Sequence, residues 1–390
     1  EYGNAMSGVF DIKLRTGNNE HYEHAVQVGA LGIDLSAEGP FSKKSLASYL
    51  LNYRYSTFGL IKPILPEGTN VPIYQDLSLK INVPTKSAGV FSLWALGADN
   101  KIKFEAETDT SEWSYLEDPE FGEASQRMGA VGLNHRHILG PKTYLNSSYA
   151  VTADKTLFDE GVMDSSLDEY PTAHIDFVNH KHSITSTLNH KFSSRHNNRT
   201  GFAVNSLHSN TLLQHAPVPG EPLLTTARVN TRTMLYRFFT QSKFTLATKF
   251  KLNAGIHSQY FALNEEFIAE PRVGVTYQVS NRHALSLAYG KHSRLEPLSI
   301  YFARVETGKA YETPNENLRL SKAHHFVLAY DLSLNQHHRL KIEPYLQLLY
   351  DVPVIQDSSY STNNMEADWF FTEKLNNSGT GTNLGMDVTL

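Results

Sequence analysis

The sequence predicts an all-β fold, an antiparallel transmembrane β-barrel, and two observations carry that prediction. First, the segment Phe250–Leu263 places mostly apolar residues at even positions and mostly polar residues at odd positions. The same alternation returns from Val273 and from His324. A period of two gives a strand one apolar and one polar face. Second, short polar turns and long polar loops alternate between such segments, which is typical of barrels that span a membrane.

The composition is compatible with a barrel and excludes several other classes. The chain has 390 residues, of which 40% are hydrophobic, and no apolar run reaches the ~18 residues that a membrane-spanning helix needs. Tyr and Phe, 20 of each, suit the bilayer interface, and the absence of cysteine fits an envelope protein. The net charge of -5 argues against a nucleic-acid partner. Since no phosphate-binding glycine loop, nucleophile elbow or zinc-protease motif occurs, we expect neither an enzyme nor a bound cofactor.

Taken in order, the alternating segments give roughly sixteen strands, within the range of bacterial barrels. The predicted strands are His24–Ala30, Leu31–Phe41, Leu46–Phe58, Asp76–Val83, Val90–Glu105, Gln126–Leu139, Tyr144–Phe158, Asn179–Phe192, Phe202–Gln214, Thr233–Leu246 and Phe250–Leu263, with later pairs that turn at Ser280–His283 and Asn335–Arg339. Pro63, Pro66 and Pro72 place a long loop after the third strand, because proline cannot donate to a β-ladder.

The two kinds of connection differ in charge, which predicts the orientation. The short turns are basic, with Lys43, Lys44, Lys86, Lys142, Arg195, Arg282 and Arg339. The long loops are acidic, above all residues 106–125 and 159–178. Bacterial barrels place short turns in the periplasm and long loops outside, so we expect the acidic loops to face the medium. They are either solvated, self-repelling segments or a funnel that attracts cationic or metal-bearing ligands.

The two ends of the chain resemble a known family. Small residues in Glu1–Gly8 lead into the alternating strand Val9–Arg15 and then Gly17, which resembles the end of the plug domain of TonB-dependent outer-membrane transporters. His24–Phe58 looks like the first barrel strands of the Bacteroidetes branch of that family, and Asn376–Leu390 like a later strand. The resemblance implies the end of a plug in residues 1–20 and an incomplete barrel in residues 21–390, with about sixteen of about twenty-two strands.

The same resemblance implies a function, a location and partners. The implied function is import of a scarce nutrient, such as a ferric siderophore, cobalamin or a glycan, across the outer membrane. The implied partners are outer-membrane lipid, the imported ligand and the TonB energy-coupling complex, which acts through plug residues outside this sequence. A surface lipoprotein, of the kind found with glycan importers, is a further partner compatible with the resemblance. The residues assigned to the junction of plug and barrel are Gly8, Arg15 and Gly17.

Four residues are candidates for ligand binding. Arg54 lies on the predicted lumen face of its strand, where its guanidinium could bind a ligand or the plug, or form an ion pair within the wall. Trp113, Tyr115 and Trp369 lie in predicted long loops, where an aromatic ring can contact a sugar or can fold back on its own loop.

Paired histidines also admit two interpretations. The pairs are His135 with His137, His180 with His182, His324 with His325, and His337 with His338. An i, i+2 spacing places both rings on one face of a strand, so chelation is geometrically feasible. A site would still need a third ligand from a distant segment. We therefore expect structural or interfacial roles and no metal site.

Two other classes of protein compete with the transporter. A passive porin of about sixteen strands would need no plug and would be complete as given. A soluble glycan-binding β protein would bury its apolar faces between two sheets and would have turns of similar length at both ends.

Overall fold

The computed structural model describes residues 3–42, 46–64, 70–115, 117–306, 311–356, 361 and 373–390. These residues form one antiparallel sheet of sixteen strands, in which the strands follow one another in chain order. Its strands are β1 (Glu23–Gly29), β2 (Gly32–Pro40), β3 (Ser48–Tyr55), β4 (Ile73–Pro84), β5 (Val90–Phe104), β6 (Glu120–Gly140), β7 (Thr143–Met163), β8 (Glu169–Ser193), β9 (His196–His215), β10 (Leu224–Ala247), β11 (Phe250–Phe261), β12 (Glu266–Gln278), β13 (His283–Arg294), β16 (Ser321–Ser333), β17 (Arg339–Ile355) and β18 (Leu375–Thr389). The predicted architecture and the predicted number of strands are therefore confirmed.

The remaining elements are short and lie in the connections. They are helix α1 (Phe58–Ile61), a 3-10 turn (Lys62–Ile64), helix α2 (Leu298–Tyr301) and the hairpin of β14 (Val305–Glu306) and β15 (Tyr311–Glu312). Among the described residues, no helix is long and apolar enough to cross a bilayer. No described pairing joins β1 to β18, so the sheet is open, as the partial barrel predicts.

The register of the strands places the apolar residues on one side of the sheet. Ala254 of β11 lies opposite Val273 of β12, which lies opposite Tyr289 of β13. On this side the large side chains are uncovered: Ile256 is 43% exposed and Leu287 is 59% exposed. Soluble proteins rarely leave apolar patches of this kind open to water, whereas lipid covers them. We call the opposite, polar side the lumen face.

The turns define two ends of the sheet. At one end, which we call the turn end, every described connection is short: residues 85–89, 141–142, 194–195, 248–249, 279–282 and 334–338. At the other, the loop end, the connections 56–72, 105–119, 216–223 and 295–320 are longer. Three connections at the loop end are nevertheless tight, namely residues 30–31, 164–168 and 262–265. The basic residues Lys43 and Lys44 lie outside the described residues.

The third predicted long loop is wrong. Residues 159–178 were expected as an acidic loop, but β7 and β8 continue through most of them, and only residues 164–168 form the tip. Asp159 pairs in register with His174, and His174 Nδ1 lies 2.6 Å from the Asp159 carboxylate. The backbone ladder needs no apolar side chains, so the hairpin extends well past the ~9–11 residues that cross a bilayer. His180 and His182 therefore lie in the middle of β8 and not near its end.

Candidate functional site

The N-terminal segment (residues 3–22) runs along the lumen face and is attached to the wall near the turn end. The Arg15 guanidinium binds the Glu38 carboxylate of β2 through both Nη atoms, at 2.6 and 2.5 Å. This pairing raises the pKa of Arg15. The Asn18 amide also donates to Glu38, and Lys80 of β4 donates to the Leu14 carbonyl at 2.6 Å. The partners lie on three different elements, so they fix the position of the segment and not only its charge.

Gly17 allows this close approach. A Cβ atom at this position would lie 1.9 Å from the carbonyl oxygen of Tyr49, at the start of β3. Because that oxygen belongs to the backbone of the sheet, any other residue would push the segment off the wall. Gly8, the other predicted junction glycine, has no atom within 4 Å of an added Cβ and makes no such approach.

A second attachment lies towards the loop end. Asn4, in the left-handed region at φ 57°, accepts a hydrogen bond from the Leu295 amide through its side-chain oxygen at 2.7 Å. Arg237 of β10 donates to the Gly3 carbonyl at 3.3 Å. A Cβ at Gly3 would lie 2.0 Å from the ring of His257. The segment thus reaches from β2–β4 at the turn end to β10–β13 near the loop end.

A buried polar cluster holds this upper attachment. Glu270 of β12 is fully buried, and its carboxylate lies 2.8 Å from His257 Nδ1 and 2.7 Å from Arg272 Nη2. Gln259 and Ser293 donate to its second oxygen. A buried carboxylate is tolerable only with such a complete set of donors. The cluster ties β11, β12 and β13 together at the point where the N-terminal segment arrives.

The connection 295–320 folds over this cluster and gives the lumen face a hydrophobic core. Tyr301 of α2 is fully buried against Phe261 of β11, with ring centroids 5.6 Å apart. Burial raises the pKa of the Tyr301 hydroxyl. Leu318 and Leu320, from the other end of the connection, complete the packing. An exposed loop would not bury such large residues, so this connection is a fixed part of the wall.

An ion cluster secures the end of that connection. Lys322, at the start of β16, lies 2.7 Å from both Glu266 of β12 and Asp351 of β17. Arg319 binds the other oxygen of Asp351 at 2.9 Å. Asp351 adopts φ 54°, a conformation that costs energy for any residue but glycine. The contacts with two cations compensate for it.

The predicted ligand-binding residues are not brought together. Arg54 lies on the lumen face, where it is bound by Asp76 at 2.7 Å and stacks over Tyr74, as the ion-pair alternative expects. The indole N–H of Trp113 donates to the Glu107 carbonyl of its own loop at 2.8 Å. Tyr115 is 75% exposed. Trp369 lies outside the described residues.

Several acidic loop residues stabilise the loops themselves. The Asp118 carboxylate accepts hydrogen bonds from the Ser114 and Tyr115 amides at 2.5 and 2.7 Å. The Asp164 carboxylate accepts from the Asp168 and Ser166 amides, and these bonds lower the pKa of Asp164. For these residues the structural interpretation of the acidic loops has direct support.

The histidine pairs make contacts with rings and hydroxyl groups. The His324 Nδ1 atom lies 2.9 Å from the Tyr289 hydroxyl, and the His324 ring stacks on Tyr350. His337 and His338 lie in the predicted turn, where both amides donate to Asn335. Among the described residues, no three histidine, cysteine or acidic side chains converge as metal ligands would.

The buried cluster around Glu270 was missed in the sequence. His257 and Gln259 were assigned only to a wet face of Phe250–Leu263, and Glu270 was not singled out. Alternation predicts which side of a sheet a residue faces, but it does not predict which part of that side another segment will cover.

Comparisons with known proteins agree with this geometry. The sequence profile described as "TonB dependent receptor-like, beta-barrel" matches residues 69–389. No curated protein matches the sequence. Among solved structures, the ferric-catecholate import receptor Fiu from E. coli K12 aligns with a TM-score of 0.67 at 10% identity, over 96% of this chain and 62% of that chain. FpvA of P. aeruginosa, solved with heterologous pyoverdines, aligns with a TM-score of 0.68 at 11% identity, over 95% and 53%.

A third similar structure is the RagAB peptide importer in its closed-closed state, with a TM-score of 0.60 at 12% identity. It is covered over 47% of its chain by 92% of this one, so the chain spans about half the length of the solved relatives that it matches. At such identities the structures share the fold alone, whereas the profile covers most of the chain. The sequence folded into this open sheet therefore belongs to the TonB-dependent receptor family, and it forms part of that family's β-barrel.

Proposed function

We propose that the chain is part of a TonB-dependent receptor that imports a scarce nutrient, such as a ferric siderophore, cobalamin, a peptide or a glycan. The β-barrels of this family are outer-membrane proteins of Gram-negative bacteria, and the family consists of receptors and transporters, not enzymes. Two of the similar structures belong to a ferric-catecholate receptor and a peptide importer, which supports import as the general activity.

The observation that carries the proposal is the N-terminal segment inside the wall. It is attached by Arg15 and Gly17 near the turn end and by Asn4 near the loop end. A passive porin keeps its lumen open, so a segment bound along it supports a plugged receptor over a pore. We accordingly propose residues 1–20 as the end of a plug and residues 21–390 as barrel.

The soluble alternative has less support. A glycan-binding sandwich packs two sheets face to face. The described residues form one large sheet, and the hairpin β14–β15 is the other described sheet. Its apolar side chains, such as Ile256 and Leu287, stay uncovered, as lipid-facing residues should.

The partners follow from the proposed function. Energy coupling would come from the TonB complex, acting through residues outside this sequence, and outer-membrane lipid would cover the apolar face. A surface lipoprotein and membership of the Bacteroidetes branch remain predictions; the similarity to the RagAB peptide importer is compatible with both.

Growth of a deletion strain tests the proposal. The gene is removed, and growth is measured on single sources of iron, cobalamin, peptide or glycan. We expect growth to fail on one of these sources and to return with the intact gene. In a strain without a working TonB complex, the intact gene should not restore growth. Restored growth without TonB would support the porin and contradict the receptor.

A further inference from the structure

A recess in the lumen face lies between the two attachments of the N-terminal segment. It is a cavity of about 560 Å³ on β11, β12 and β13. Its floor consists of small residues on neighbouring strands, namely Gly255, Gly274, Ala288 and Gly290. Gly255 lies opposite Arg272, and Arg272 lies opposite Gly290, so the small residues and the arginine alternate across the sheet. Small residues at these positions leave a depression where larger side chains would fill the wall.

The rim of this lumen recess is cationic. Its lining contains two arginines, Arg199 and Arg272, and three histidines, His257, His292 and His325, but no aspartate or glutamate. Arginine and histidine ring N–H groups are hydrogen-bond donors, and arginine stays charged at any physiological pH. The cavity therefore presents donors from three sides above an uncharged floor.

The histidines leave donor capacity for a ligand. The rings of His292 and His325 lie with centroids 4.5 Å apart, so they face the cavity as a pair. The Nε2 atom of His325 is buried, and no described residue forms a hydrogen bond with it. A buried polar atom without a partner is costly unless something else satisfies it. Glu270 does not do so, because its oxygens already accept from His257, Arg272, Gln259 and Ser293.

The character of the recess is local. A second cavity, of about 660 Å³, lies among the strand ends and connections of the loop end. Its lining includes five acidic residues, Glu105, Glu123, Asp159, Glu160 and Glu169. The wall thus changes from acidic to cationic between the loop end and the recess. An anion would find donors at the recess and carboxylates at the loop end, so the recess is the described cavity suited to it.

We propose that the lumen recess binds a small organic anion with several carboxylate groups. The arginine side chains would bind carboxylates by charge-assisted hydrogen bonds, and the paired histidines would supply further donors. The volume lies within the range of small-molecule sites. The proposal rests on the proposed function only in that it takes the lumen as the route of the imported solute.

Calorimetric titration tests the site. The whole receptor, purified in detergent at low salt, is titrated with citrate and, separately, with triethyl citrate, the neutral ester of the same skeleton. We expect citrate to bind and the ester not to bind. Gly274→Leu should fill the recess without a clash, because a Cβ at Gly274 meets its nearest neighbour, the Ala288 side chain, at 3.8 Å. We expect this variant and Arg199→Gln each to weaken citrate binding about tenfold or more.

Gly129→Leu on β6 is the matched control. A Cβ there has equally free space, with its nearest neighbour at 3.9 Å, but it faces away from the lumen. It should leave citrate binding unchanged. Circular dichroism verifies that each variant is folded, and Arg199→Gln tests the site if Gly274→Leu is not. No citrate binding, equal binding of the ester, or unchanged binding in Arg199→Gln would overturn the proposal. Growth on single nutrients is measured separately, so loss of the anion site and loss of the import function remain distinguishable.

Discussion

Replacing Glu270 by glutamine tests whether the buried polar cluster holds the upper wall together. The substitution keeps the shape of the side chain and removes its charge. Glu270 is fully buried and binds His257 at 2.8 Å and Arg272 at 2.7 Å, with Gln259 and Ser293 on its other oxygen.

The magnitude follows from these contacts. Removing one partner of a buried charge pair costs about 3–5 kcal/mol. Arg272 is partly exposed, with 23% of its side chain accessible, so water recovers some of its solvation. The amide oxygen of glutamine also still accepts one hydrogen bond. We therefore expect Glu270→Gln to lower the free energy of unfolding by about 3 kcal/mol, the lower end of that range.

Urea unfolding of the whole receptor in lipid vesicles, followed by tryptophan fluorescence, measures this loss. The control is Glu343→Gln on β17, whose partner Lys341 lies at 2.6 Å, but whose side chain is 27% exposed. Such exposed pairs contribute about 0–1 kcal/mol. Equal losses in the two variants, or a Glu270→Gln protein as stable as the wild type, would refute the reasoning.

Three further predictions concern the N-terminal segment and the loops. Gly17→Val places a side chain against the Tyr49 carbonyl, so trypsin should cleave the segment faster, whereas Gly8→Val, with nothing within 4 Å, should leave cleavage unchanged. Trp113→Phe removes the indole hydrogen bond to its own loop and should increase amide hydrogen exchange in residues 105–119; unchanged exchange would show that this bond does not order the loop. Asp164 has a lowered pKa, so its contribution to the order of the 164–168 tip should persist above the ordinary aspartate range and disappear only as the pH falls through the lowered value. Amide shifts of the tip against pH measure this, and Asp164→Asn should abolish the dependence.

The sequence predicts the sheet well because alternation reports a local property. Each of the segments around Ile256, Val273 and Leu328 needs only its own residues to reveal two faces, and the register then aligns those faces across the sheet. The end of β7 and the start of β8 were missed because acidic residues such as Asp159 and Asp176 resemble a loop, although the ladder continues through them.

The sites were harder to predict, because they depend on segments that are distant in the chain. Nothing near Glu270 in the sequence indicates that residues 295–320 will cover it, or that Gly3 will lie on His257. Arg15 was assigned to the junction through the family resemblance, and its partner Glu38 could not be identified until β2 and the segment were placed together.

The upper attachment of the N-terminal segment also constrains the order of folding. The hydrogen bond between Asn4 and the Leu295 amide joins residues 291 positions apart, and that between Arg237 and Gly3 joins residues 234 apart. Contacts of such long sequence separation form slowly, since the intervening chain must first be arranged. The beginning of the chain should therefore dock late, after β10–β13 have assembled, and until then its exposed Phe10 and Ile12 would be available to a chaperone.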